Sequence, residues 1–225
     1  MQATSLLRLL QLASPSLPIG AYTYSQGLES AIESGAVKDE SSARAWICES
    51  LGIIADFEAP ILWRLLKAFS TRDREAVTHW TECFVAARDT AEFRAETIQM
   101  GYSLGKLVVD LKIADDALQK ILTGQDEIPL PTAFACAAEA LAVPHDAALL
   151  GMLFSMIENQ VLACVKSIPL GQVSGQRLLF SLHPALEAAS HRAQRLEDDE
   201  LSSWAPGLSL LSMQHEVQYS RVYRS

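Results

Sequence analysis

The sequence predicts an all-α fold, a single-domain bundle of about ten helices followed by a mobile C-terminal tail. Three observations carry this reading. Runs rich in Ala, Leu, Glu and Arg dominate the chain, with short Pro or Gly breaks between them. Apolar residues recur at helical spacings, and alternating β-branched runs are absent. The last two dozen or so residues lose that periodicity and offer no obvious core face.

The elements follow in order. A first helix covers about Thr4 to Leu12, and Ser14, Pro15, Pro18 and Gly20 then make a rigid loop. A second helix runs from about Tyr22 to Ser34, ended by Gly35 in a left-handed conformation. The third spans about Glu40 to Asp56, with Asp39 as its N-cap and Trp46, Ile47, Ser50, Leu51 and Ile54 on its apolar side. Pro60 suits the first turn of a fourth, which carries Leu62, Leu65, Leu66 and Phe69. Thr71 or Asp73 opens a fifth, ending near Ala87.

A long helix from about Thr90 to Asp110 places Phe93, Met100, Leu104, Leu107 and Leu111 on one stripe. Glu92, Arg94 and Glu96 are expected on its solvated face. A short helix from Asp115 to Leu122 stops at Gly124, and Gly124 to Leu130 reads as a loop. Helices follow from about Pro131 to Ala142 and from His145 to Ser167. His145 and Asp146 are read as caps at the start of the second of these. That helix is apolar nearly all round, which places it at the centre of the bundle. Pro169 breaks it. Two more run from Gly171 to Leu182 and from Pro184 to Glu197. The domain is therefore expected to cover residues 1–201, with 202–225 as a partner-binding tail.

Composition limits function. With 49% hydrophobic and 20% charged residues the chain is ordinary for a globular protein, able to build its own core. A formal net charge of −9 argues against nucleic-acid binding, because an acidic surface repels phosphate. The longest apolar stretch, Ala147 to Ile157, is too short to span a bilayer. The N-terminal segment lacks a basic cluster before its apolar part and holds Arg8 within it, so it reads as a helix of a cytosolic protein.

No pattern of catalytic chemistry emerges. There is no phosphate-cradling glycine loop with its lysine, and PLGQVSGQ has neither the lysine nor a strand before it. Cys48, Cys83, Cys136 and Cys164 are far apart and read as small core residues. His183 and His191, eight apart, give a weak metal signal, and His215 beside Glu216 could join cysteines only through folding. The acidic pairs at Asp115–Asp116 and Asp198–Glu200 read as solvated caps. No cofactor is expected.

Three segments point to a family: ASPSLPIGAYTYSQGLESAIESG at 13–35, KSIPLGQVSGQRLL at 166–179 and SMQHEVQYSRVYRS at 212–225. In this order and chain length they resemble the urease accessory protein family UreF. The ending holds Val222 and Tyr223 between its arginines, where the family often has leucine and phenylalanine. The resemblance implies an all-α homodimer without enzymatic activity. It implies binding to the accessory protein UreD, also called UreH, and through it to the GTPase UreG, for nickel insertion into urease apoprotein.

On that basis Tyr219, Arg221, Tyr223 and Arg224 are expected to bind a partner, since tyrosine and arginine anchor interfaces. A tail folded back on its own bundle is the alternative. Lys166, Gln172 and Gln176 are expected on a GTPase-facing surface, the two glutamines sharing a helical face. The alternative there is close packing at Gly175. Glu29 could pair with an arginine at a subunit or partner contact. A nickel-binding metallochaperone using His and Cys ligands is the competing function.

Overall fold

The computed structural model describes residues 2–224, and among them finds twelve α-helices, two 3-10 turns and no strand. The all-α expectation holds, with slightly more helices than read from the sequence.

The helices are α1 (Ala3–Leu12), α2 (Leu28–Glu33), α3 (Glu40–Asp56), α4 (Glu58–Ser70), α5 (Arg74–Ala86) and α6 (Ala91–Asp110). They continue with α7 (Asp116–Thr123), α8 (Leu130–Ala140), α9 (His145–Ser167), α10 (Gln172–Ser181), α11 (His183–Arg195) and α12 (Pro206–Glu216).

Local chemistry explains most boundaries. Asp39 caps α3 by accepting from Ser42 N at 2.8 Å, while the Ser42 hydroxyl accepts from Asp39 N. These bonds favour the ionised carboxylate and hold its pKa below the usual range. Asp73, Thr90 and Asp115 cap α5, α6 and α7 in the same manner. The helix predicted from Tyr22 to Ser34 is interrupted. A 3-10 turn at Ala21–Thr23 precedes α2, and Gln26 (φ 55°) and Gly27 (φ 79°) take left-handed conformations between them. Arg72, Lys112 and Ala142 also take left-handed conformations, just past α4, α6 and α8. There the next amide bonds back into the helix, as with Asp73 N to Ala68 O at 2.9 Å. His145 opens α9 without a side-chain cap and instead lies 3.6 Å from Glu139 and edge-on to Trp63.

The core centres on α4, α8 and α9. Ile61, Leu62, Leu65, Leu66 and Phe69 bury α4 between α3, α5 and α8. Residues 130–138 of α8 are all buried, since its alanines let α4 and α6 approach on two sides. α9 touches α1, α2, α3, α4, α8, α10 and α11, as its all-round apolarity predicts. By length and composition α9 could cross a membrane, which the shorter apolar run argued against. Its place among seven neighbours accounts for that apolarity.

The buried face of α6 differs from the expected stripe. Met100 and Leu104 are buried, but Leu111 is exposed and the contact is completed by Thr97, Gly101, Gly105 and Val108. Small residues here admit the 128–130 backbone. Glu92 and Glu96 are not solvated: they turn inward, and only Arg94 is half exposed, paired with Glu127.

Candidate partner-binding site

The segment read as a tail without a core face carries α12, which packs against α2 and α6. Its buried face is polar, which is why apolar periodicity missed it. Ser209 Oγ donates to Asp89 at 2.6 Å, Ser212 Oγ meets Thr90 Oγ1 at 2.8 Å, and His215 reaches Glu92. These three residues lie one turn apart on α12, and their partners line the start of α6.

His215 is fully buried between two carboxylates, with Nδ1 3.0 Å from Glu92 and Nε2 3.2 Å from Glu29. Beyond α12 the chain folds back along α2. Val222 N and Tyr223 N donate to the two Glu29 oxygens at 2.7 and 2.8 Å. Arg221 Nη1 donates to Glu92 at 3.0 Å, and Arg224 N donates to Thr23 O at 2.8 Å. Charge-assisted bonds of this kind are roughly twice as strong as neutral ones. Glu29 therefore pairs within its own chain.

The Tyr223 ring is buried, 7% exposed, and burial raises its pKa. Its hydroxyl lies beside Ser167 at the end of α9 without a fully formed hydrogen bond. The loop before α2 is tied in too. Tyr24 OH donates to Gln99 at 3.0 Å with Arg224 beside it, Asn159 donates to Tyr24 O, and Gln26 bonds Glu96 at 2.8 Å. The three segments singled out in the sequence thus meet in space: 13–35 and 212–224 interlock, and 166–179 begins where Tyr223 docks.

The expected site residues divide. Tyr219 is fully exposed, and Arg221 and Arg224 are exposed although anchored through Glu92 and Thr23. Tyr223 is an internal anchor. Lys166, Gln172 and Gln176 are exposed, with Val173 and Phe180 also outward on α10. Gly175 permits this helix to sit against α9, because a Cβ there would fall 2.5 Å from Val165 Cγ2. Sequence reasoning missed the outer face of α12, where Leu210, Met213 and Val217 are exposed, with Trp204 nearby in sequence and Val222 exposed beyond. The spacing of three, then four, residues was its signal.

A cavity of about 110 Å³ lies between α3, α6, α8 and α9, closed in part by residues 203–209. Its charged lining is tied up in structural bonds: Glu58 with Arg88, Asp89 with Ser209 and Glu96 with Gln26. Among the described residues no group of three or more His, Cys, Asp or Glu is placed to hold a metal ion. The two nitrogens of His215 diverge, so Glu29 and Glu92 do not converge on one point. Burial pushes the Cys136 and Cys164 thiols up to about 12, which disfavours the thiolate a metal needs. His79 Nε2 lies 3.7 Å from Cys83 Sγ on α5, a pair that reading each residue type separately overlooked.

The UreF family model matches residues 37–183. The chain is 76% identical to the urease accessory protein UreF of Nitrosospira multiformis, over 98% of each chain. It is 70% identical to that of Janthinobacterium sp. (strain Marseille) over the whole of both, and 48% identical to that of Azoarcus sp. (strain BH72), over 98% of this chain and 95% of the relative. The chain belongs to the UreF family of urease accessory proteins.

Proposed function

We propose that this chain is a non-catalytic adaptor in urease maturation, a cytoplasmic homodimer that binds UreD/UreH. Through that complex it recruits or modulates the GTPase UreG while nickel enters urease apoprotein. The observation that carries this reading is the apolar outer face of α12, followed by Tyr219, Arg221 and Arg224 on the surface. A helix that buries serines and a histidine while exposing leucine, methionine and valine has its apolar side available for another protein. The whole segment 202–225 is the proposed docking element, and Tyr223 supports it from inside.

Lys166, Gln172 and Gln176 form the proposed second surface, toward the GTPase. Co-expression with UreD and UreG tests the assembly: all three should co-purify, and recovery of this chain alone would count against it. Within the complex, Lys166→Ala should lower the affinity for UreG or the GTPase rate by about fivefold, the effect of losing about 1 kcal/mol at an interface. An unaltered rate and affinity would restrict the 166–179 segment to helix packing.

The His79–Cys83 pair favours a second reading, a nickel-binding metallochaperone acting through His and Cys ligands. Calorimetric titration with nickel separates the two. The adaptor reading expects no tight stoichiometric binding, whereas one ion per chain, lost in His79→Ala, would support the metallochaperone.

A further inference from the structure

We propose that Glu29, His215 and Glu92 form a proton-dependent latch that holds the C-terminal segment against the bundle. The inference draws on the partner-binding reading only for its use. It concerns contacts within this chain, so its failure would leave that reading standing.

The geometry sets a proton count. A carboxylate accepts hydrogen bonds but donates none, and a neutral imidazole carries a single N–H. Both nitrogens of His215 face carboxylate oxygens, at 3.0 and 3.2 Å, and the ring has no contact with solvent. Two donors are needed where a neutral ring supplies one. The three groups therefore hold, as a unit, one proton more than a neutral ring and two ionised carboxylates would. With that proton and Arg221 the cluster is charge-balanced: two carboxylates face two cations. Without it, a ring lone pair faces a carboxylate in a dry site, and one negative charge is left unbalanced.

The groups around the ring are accounted for on each neighbouring element. α2 contributes Glu29, with Glu33 exposed beyond it. α6 contributes Glu92, with Arg94 turned to Glu127 and Glu96 bonded to Gln26. The returning segment contributes Arg221 and two backbone N–H groups, and Glu216 on α12 is exposed. The Glu29 oxygen that faces His215, Oε2, also receives Tyr223 N, and the other oxygen of the same carboxylate receives Val222 N. Loss of the proton thus acts directly on the bonds that keep the segment docked, and rising pH should release it, presenting Arg221 to Arg224 to a partner.

Amide hydrogen exchange on the full chain, corrected for intrinsic rates, tests the latch. Protection at Val222 and Tyr223 should fall with rising pH by about tenfold per unit, the slope for losing one proton, while α9 amides stay protected. Glu92→Gln is the decisive variant. Its amide can donate to Nδ1, so the cluster needs no extra proton, and protection should persist without the pH slope. His215→Gln should lose both protection and slope. Flat protection with pH in the parent chain, or a slope retained in Glu92→Gln, would overturn the proposal.

Discussion

Met213→Asp combined with Val217→Asp should weaken capture of UreD at least roughly thirtyfold while leaving far-UV helicity and melting temperature nearly unchanged. Both side chains project outward from the end of α12, and neither contributes to the core. Surface substitutions away from special features cost within about 0.5 kcal/mol of stability. At an interface the same positions would bury a charge, and loss of an anchor costs about 2 kcal/mol. Tyr102→Ser, on the exposed side of α6, serves as the control and should capture normally. Surface plasmon resonance with immobilised UreD reads the difference. Equal binding by the double variant and the parent would remove α12 from the interface.

Gly101→Ala should destabilise the fold by about 3 kcal/mol, at the upper end for overpacking. A Cβ at Gly101 would lie 2.0 Å from Ile128 O, 2.4 Å from Pro129 C and 2.7 Å from Leu130 N. These are backbone atoms leading into α8, so no side-chain rotation relieves the clash. In a chain of this size the melting temperature should fall by roughly 6 to 12 °C. Gly52→Ala provides the contrast. It lies within α3 with open space around it, and alanine is favoured in a helix by about 1 kcal/mol. Calorimetry should show that variant equal to or above the parent.

Much of this architecture is legible in the sequence, and the failures share a cause. α9 announces itself because apolar residues surround it, and the caps at Asp39 and Asp73 are local chemistry. α6 was misjudged because its contact with the 128–130 backbone uses Gly101 and Thr97, which a search for leucine stripes ignores. α12 was misjudged more deeply. Its buried residues are Ser209, Ser212 and His215, while Leu210, Met213 and Val217 are exposed beside Gln214 and Glu216, so the usual association of apolar with buried is largely reversed. Only the fold brings Asp89, Thr90 and Glu92 opposite those residues.

The candidate site was legible as motifs but not as geometry. The segments 13–35, 166–179 and 212–225 stood out separately, and the family likeness rests on them. That Glu29 receives Val222 and Tyr223 spans nearly the whole chain, and no local spacing announces it. Tyr223 is expected at a partner contact because tyrosine and arginine anchor interfaces, whereas its ring is buried and its neighbours Tyr219 and Val222 are exposed. The turn after Glu216 sends it inward while they face out. The left-handed positions at Gln26, Arg72, Lys112 and Ala142 were hidden for a related reason: none is glycine, so composition gave no sign of them.

Residues 204–224 are proposed as a docking face for another protein. Hydrogen-exchange footprinting of this chain alone and bound to UreD tests it most directly. Binding through this face should add protection along α12 and through residues 217–224, with little change in the α4–α8 core. Protection confined to other surfaces, with 204–224 exchanging as it does in the free chain, would contradict it.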